Sequence, residues 1–292
     1  MKSVQPGILA PVPRLARYLS YSLIPNVDPR SALASLSKSA DGDQVVVGIG
    51  PSLLLTLAAE INGLVPFPNY VGDGIEIPST QNSLWCWIRT GDRGDHVHRT
   101  REISDLLADA FFCVDIVDAF QYGPSLDLTG YEDGTENPEG AEGLNAAIVQ
   151  NQGAGLDGSS YVAVQQWVHD LDRFQAMSQT EQDNTIGRQI SDNEELDDAP
   201  ESAHVKRTAQ EDFDPEAFIL RRSMPWADAS NEGLQFVAFG KSFYAFDAQL
   251  KRMLGMDDGI TDALFNFTTP ISGSYYWCPP LAAGALDLSK LM

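Results

Sequence analysis

The sequence predicts an α+β protein made of two successive halves, and three observations carry that reading. Strands and helices alternate in a β-α-β-β-α-β rhythm through the first 121 residues, the pattern of a ferredoxin-like unit. After a connection rich in glycine, proline and acidic residues, spanning 124–158, the rhythm restarts. No internal period of roughly 20–50 residues repeats, which removes solenoids and propellers. The expected architecture is two ferredoxin-like halves, residues 1–140 and 141–292, with antiparallel sheets and peripheral helices.

The elements follow in order. Residues 15–23 read as the first strand and 31–39 as a short polar helix. A second strand over 44–47 ends in Gly48-Ile49-Gly50 before a helical stretch over 53–61. The crossing that holds Pro66, Pro68, Gly72, Gly74 and Pro78 is punctuated by turn residues. It leads into a strand over 83–89 that is rich in β-formers. Leucine spacing predicts a helix over 103–110, followed by a strand over 111–120. In the second half a strand over 161–168 precedes a helical 171–187 and an acidic loop over 192–201. Strands over 217–224 and 234–240 and a helix over 242–254 complete the pattern.

Apolar residues make up 43% and charged residues 21% of the 292-residue chain, which fits a globule with a core rather than a disordered or fibrous protein. Nineteen Lys and Arg against 41 Asp and Glu give a net charge of −22. A surface that acidic repels nucleic-acid phosphates and anionic lipid, so neither is an expected partner. Anionic small substrates are disfavoured as well, unless a local basic pocket overrides the field. Cys86, Cys113 and Cys278 stand far apart. The absence of any Cys-x-x-Cys excludes zinc knuckles, thioredoxin-like pairs and covalent haem attachment through Cys-x-x-Cys-His. In their apolar and aromatic surroundings all three read as small core residues. Pro6, Pro11 and Pro13 break the N-terminal stretch, so no signal peptide is expected. Nor does any uncharged apolar run reach the roughly 18 residues of a membrane span. The expected location is the cytoplasm.

Several motifs carry little. Val45-Val46-Val47-Gly48-Ile49-Gly50 begins like a dinucleotide loop, but Leu53 takes the third glycine position and no Walker lysine follows. A strand-to-helix turn accounts for it. His96 and His98 lack a third ligand at helical or strand spacing and read as solvated residues at a helix start. The acidic run at 192–198 reads as a hydrated loop.

Gly130-Tyr131-Glu132-Asp133-Gly134-Thr135-Glu136-Asn137-Pro138 is the most informative segment. Alone it is turn chemistry, since Asp-Gly and Asn-Pro favour turns. Its meaning comes from partners downstream. His204, one of four histidines, lies 71 residues after Asp133, and Arg221-Arg222 begin 17 residues after His204.

With these residues in view, the chain resembles the dye-decolorising peroxidases, haem enzymes of two ferredoxin-like halves. Gly130-Tyr131-Glu132-Asp133-Gly134 matches the family's Gly-x-x-Asp-Gly signature, and Thr135-Glu136-Asn137-Pro138 matches its shorter bacterial P-type or B-type branch. The histidine before Val-x-x and the later arginine fall in family order and spacing. Gln5-x-Gly7-Ile8, Trp87-Ile88-Arg89-x-Gly91-Asp92-Arg93-Gly94 and Trp167-Val168-His169-Asp170-Leu171 extend the resemblance over essentially the whole chain.

The resemblance implies that His204 is the proximal ligand of a b-type haem held without covalent attachment; imidazole is the commonest such donor. An acidic partner for its other ring nitrogen is expected, but the sequence does not say which carboxylate serves. On the opposite face the family places Asp133 and Arg221, the carboxylate relaying the proton of peroxide and the guanidinium stabilising charge on the departing oxygen. Arg221 and Arg222 are strand neighbours, so one can enter the pocket while the other reaches solvent. Ser223 shares the face of Arg221 and could order water there. Arg188 matches a position near the haem propionates. Desolvation raises the pKa of Asp133 while Arg221 lowers it, and the winner is not readable from sequence.

The implied activity is a haem peroxidase that reduces hydrogen peroxide and oxidises dye-like or phenolic donors in one-electron steps through an oxyferryl intermediate. The alternative is a non-catalytic haem-binding protein for storage, delivery or sensing. Chlorite dismutase chemistry on the related fold is argued against by the 130–134 signature. Tyr161, Trp167, Trp226, Tyr244 and Tyr275-Tyr276-Trp277 are candidates for passing electrons to large donors, against an ordinary packing role. Self-association into a homo-oligomer is expected, and the stretch at 286–291 is a weak candidate for docking into an encapsulating shell, as tails of some relatives do.

Overall fold

The computed structural model describes residues 3–292. Its first half opens with α1 (Pro6–Leu9) and continues through β1 (Leu15–Leu23), α2 (Arg30–Ser39), β2 (Val45–Ile49) and α3 (Pro51–Leu57). A small hairpin, β3 (Tyr70–Gly72) with β4 (Ile75–Ile77), precedes β5 (Leu84–Thr90), α4 (Arg93–Leu107) and β6 (Phe111–Phe120). Helix α5 (Gly140–Ala147) leads into β7 (Ser160–His169), followed by α6 (Leu171–Gln175), α7 (Gln179–Ile186) and α8 (His204–Arg207). Then come β8 (Leu220–Arg221), β9 (Met224–Ala227), β10 (Glu232–Gly240) and α9 (Tyr244–Met253). Strands β11 (Thr268–Pro270), β12 (Ser274–Cys278), β13 (Leu281–Ala282) and β14 (Ala285–Leu286) close the chain.

Two antiparallel sheets face one another: β2, β5, β1 and β6 from the first half, and β12, β7, β10 and β9 from the second. Seams of one residue pair each, Trp277 with Ile49 and Ala119 with Trp226, join them into a continuous sheet, and β7 pairs with β10. The alternation of side chains along each strand decides what lies where. Tyr18 of β1 points between the sheets, where it stacks with Trp85 and Trp87 of β5, and these in turn stack on Tyr276 and Phe239 of the second sheet. Leu19 and Tyr21 point the other way, under Leu33 and Leu36 of α2 and Ile103 and Leu107 of α4. Each fully buried leucine contributes about 1.5–3 kcal/mol relative to exposure. The outer face of the second sheet, with Ala163, Trp167 and Ala238, lies under Phe246, Leu250 and Met253 of α9. That face carries the site.

The α+β architecture with antiparallel sheets agrees with expectation, and the Gly48-Ile49-Gly50 segment is indeed a strand-to-helix turn. Several boundaries differ, each for a physical reason. Helix α3 stops at Leu57, short of 61, because Ala58 adopts a left-handed conformation with φ 52°. Helix α4 begins at Arg93, ten residues before the predicted start at 103, with Asp92 capping the Gly94 amide; leucine spacing marks only its last turns. Inside α4, His96 is buried rather than solvated, whereas His98 is exposed. The predicted helix over 171–187 is two helices, divided where Ser178 and Glu181 form a reciprocal capping box. The predicted strand over 217–224 is broken, since the Ser223 hydroxyl accepts the Val237 amide that a strand carbonyl would otherwise bind. Helix α5 lies inside the connection expected to be irregular, and β12, which was not anticipated, pairs with β7.

Cys86 and Cys278 are buried, but Cys113 is exposed. It lies on the first part of β6, beyond the reach of β9, where Phe112, Val114 and Ile116 are about half exposed as well. Near the other end of the chain, Leu286, Leu288 and Leu291 pack into the core with Leu33 and Leu36.

Candidate active site

His204 begins a one-turn helix, and three contacts fix where it stands. Arg207 at the end of that turn donates to both carboxylate oxygens of Asp258 (2.7 and 2.8 Å) and to the Arg252 carbonyl, tying α8 to the end of α9. Gly187, with φ 94°, lets α8 approach: a Cβ there would lie 2.3 Å from Val205 Cγ2. Asp262, 1% exposed, accepts from His204 Nδ1 at 2.8 Å through Oδ2 and from the Leu264 amide at 2.8 Å through Oδ1. A carboxylate beside Nδ1 holds the proton there and leaves Nε2 as a lone-pair donor on the cavity side. Asp262 is the acidic partner that the sequence could not name; it lies 58 residues from His204 with no motif of its own.

Asp133 and Arg221 are brought together by Asn137. Its amide oxygen accepts the Arg221 N–H at 2.8 Å and its amide nitrogen donates to the Arg221 carbonyl at 3.1 Å, a two-point clamp between the 130–138 loop and β8. Gly134, with φ 84°, packs so tightly that a Cβ would stand 2.6 Å from Asn137 Nδ2. Buried Gln210 adds a second stitch, donating to Glu136 O at 2.8 Å and accepting from Ile219 N at 3.0 Å. The turn chemistry visible in Asn137-Pro138 is therefore a tertiary device.

His204, Asp133 and Arg221 line one cavity of about 910 Å³, its open mouth included. Its walls are Trp167, Phe236, Phe246, Leu250, Met253 and Phe267. Desolvation decides the competition at Asp133: burial holds its pKa above the usual carboxylate range, against the lowering charge of Arg221, and Asp127 adds to the rise. Asp127 goes the other way. Burial alone would raise it, but hydrogen bonds from His169 Nε2 (3.1 Å) and from the amide and hydroxyl of Thr129 (2.8 and 2.7 Å) hold it below the ordinary value. Both members of this pair lie on the cavity wall; the sequence marked His169 only as part of Trp167-Val168-His169-Asp170-Leu171 and did not mark Asp127 at all.

The other expected residues fall as follows. Arg188 is buried beside the same region but engaged by Glu136 (2.6 Å), Glu195 (3.2 Å) and the Asn193 carbonyl (2.9 Å). Ser223 lies with Arg221 on a neighbouring chamber that also reaches Asp133, rather than on the cavity of His204, and its hydroxyl is engaged by Val237. Arg222 is only partly exposed. It donates to Leu9 O at 2.8 Å and Arg221 O at 2.9 Å, and burial with Arg89 nearby pulls its pKa down to about 10. Of the aromatic candidates, Tyr161, Trp167, Trp226, Tyr275, Tyr276 and Trp277 are buried and Tyr244 alone is exposed.

The donor set suits haem: one imidazole nitrogen left as a lone-pair donor, apolar walls for a macrocycle, and arginines for carboxylates. No cysteine lines the cavity among the described residues. The fold and the site thus define an α+β protein of two ferredoxin-like sheets with an apolar cavity on the second, into which His204, Asp133 and Arg221 converge. Residues 125–283 match the family model "Dyp-type peroxidase, C-terminal". The chain is 32% identical over 272 residues to a dye-decolorizing peroxidase of Mycobacterium tuberculosis, covering 85% of this chain and 81% of that protein. It is 34% identical over 208 residues to one of Mycolicibacterium paratuberculosis, covering 69% of this chain and 59% of that relative's length. A DypB variant from Rhodococcus jostii RHA1 in complex with heme superposes with a TM-score of 0.86 at 26% identity, over 93% of this chain and 94% of that one. The chain belongs to the DyP-type peroxidase family.

Proposed function

We propose that the protein is a haem peroxidase that holds b-type haem without a covalent bond, reduces hydrogen peroxide and oxidises phenolic or dye-like donors by single electrons. One observation carries the reading: an imidazole with one nitrogen committed to a buried carboxylate shares an apolar cavity with a second buried carboxylate and a guanidinium. Bound haem supplies the iron that accepts peroxide and passes on its oxidising equivalents.

The residues divide the remaining work. His204 Nε2 would hold the iron, and Asp262 orients the ring and raises its basicity. Asp133 takes a proton from peroxide and returns it to the departing oxygen; its raised pKa suits a group that must both accept and release one. Arg221 stabilises negative charge as the O–O bond parts, its backbone fixed by Asn137. Arg188 would meet a haem carboxylate in place of Glu136 or Glu195, and Ser223 would order water in the adjoining chamber. The half-exposed apolar part of β6 supports self-association into a homo-oligomer. No helix among the described residues is long and apolar enough to cross a membrane, and unpaired cysteines suit the reducing cytoplasm.

Reconstitution with haemin tests the reading. The expected result is a Soret band that changes on mixing with hydrogen peroxide, with turnover of guaiacol and an anthraquinone dye, and both lost in His204→Ala. A Soret band that only bleaches, with no donor oxidised, would establish the alternative of a haem carrier. No Soret band at all would exclude both.

A further inference from the structure

One phenol on the cavity wall has a place to send its proton. Tyr131, in the 130–134 loop, lines the cavity and is 4% exposed. Its hydroxyl donates to Asp183 Oδ1 at 2.5 Å and accepts from Gln179 Nε2 at 3.1 Å. Both partners belong to α7, and Gln179 is exposed, so a single ring spans the distance from the cavity to one side chain below the surface. The ring sits edge-on to Phe174 at 6.1 Å, and Phe174 tilts against Phe267 at 4.5 Å. Phenylalanine would pack in that cluster equally well; the hydroxyl is not needed to fill it. Burial, then the hydrogen bond to and charge of Asp183, push the phenol's pKa up, so it keeps its proton until an electron leaves.

The other aromatic groups of the wall lack this arrangement. Trp167 Nε1 is buried without a hydrogen-bond partner among the described residues, and so is the hydroxyl of Tyr275 behind Phe246. Phe236, Phe246 and Phe267 have no acidic proton. Taking an electron from a buried indole or phenol that cannot release its proton leaves a cation in a poorly polarisable interior, which is costly.

From this placement we infer that Tyr131 relays single electrons to the cofactor from donors too wide to enter the cavity, with Asp183 holding the phenolic proton in the interval. The inference rests on the haem peroxidase reading. In the first step Tyr131 gives one electron to the peroxide-oxidised haem, its O–H bond breaks, and the proton forms a new O–H bond on the Asp183 carboxylate, leaving a neutral phenoxyl radical. In the second a phenolic or dye-like donor at the surface of α7 gives one electron to that radical. Asp183 returns the proton to the Tyr131 oxygen, and the donor's own proton passes to water.

The test is freeze-quench electron paramagnetic resonance of the haem-loaded protein after hydrogen peroxide, with ring-deuterated tyrosine to identify the radical. Tyr131→Phe keeps the ring and the fold. It is expected to reduce the tyrosyl signal at least fivefold and oxidation of an anthraquinone dye at least tenfold, while the Soret change with peroxide persists. Asp183→Asn, which keeps an acceptor oxygen but not a base, is expected to reduce the same signal. A tyrosyl signal unchanged in Tyr131→Phe overturns the relay alone, and one unchanged in Asp183→Asn overturns Asp183 as the base. A Soret band indifferent to peroxide in the unmutated protein overturns the relay together with the reading beneath it.

Discussion

Asp262→Asn isolates the hydrogen bond behind the cofactor ligand. Both oxygens of Asp262 accept: Oδ2 from His204 Nδ1 and Oδ1 from the Leu264 amide. An asparagine has one acceptor oxygen. If it keeps the Leu264 cap, its NH₂ faces Nδ1, and the imidazole must move its proton to Nε2, the nitrogen that faces the cavity. If it flips to keep His204, the NH₂ confronts the Leu264 N–H. Either way the ligand is weakened. A hydrogen bond to a charged acceptor contributes about 1.5–3 kcal/mol, and losing such a partner behind a metal-binding histidine typically costs roughly 10- to 100-fold in affinity. The expected outcome of titrating haemin into Asp262→Asn, followed at the Soret band, is a dissociation constant raised by about that factor, with near-unchanged far-ultraviolet circular dichroism. A constant within about twofold of the unmutated protein, with the same Soret position, would refute the assignment of His204 as a ligand tuned by Asp262.

Three further outcomes are expected. Because burial raises the Asp133 pKa, the folded state holds that proton to higher pH than the unfolded chain. This contribution to stability is complete below the ordinary carboxylate pKa and is lost as pH rises through the raised one. Asp133→Asn should therefore melt above the unmutated protein at neutral pH, the gap closing in acid, and should erase the acid limb of the peroxide reaction; a pH-independent gap would count against it. Asn137→Ala strands the Arg221 N–H at a cost of about 2 kcal/mol, or roughly 4–8 °C in Tm by calorimetry, and should slow the peroxide reaction more than it weakens haem binding. Gly187→Ala, with its Cβ against Val205 and an unfavourable φ, should cost about 1–3 kcal/mol in chemical denaturation and weaken haem binding; Val205→Ala added to it should restore part of both.

Much of the fold was legible because alternation in a strand and punctuation by Gly and Pro are local. The strand at 111–120 and the turn at 48–51 follow from a few neighbouring residues. Where charged residues led a helix, as at Arg93–Leu107, apolar spacing revealed only its end. Cys113 misled for a related reason: its neighbours are apolar, yet burial depends on whether another strand arrives beside them, and β9 reaches β6 only at Ala119.

The sequence by itself determined the α+β class, which is written in local periodicity, and its resemblance to a known family pointed to His204, Asp133 and Arg221 as residues to look for. Only the tertiary structure could decide that Asp262 backs His204, that Asn137 clamps Arg221, that Arg222 is engaged by the Leu9 carbonyl and that burial outweighs the arginine at Asp133. Each of these depends on which distant segments meet and how much water they exclude, and neither is a property of any short stretch of chain.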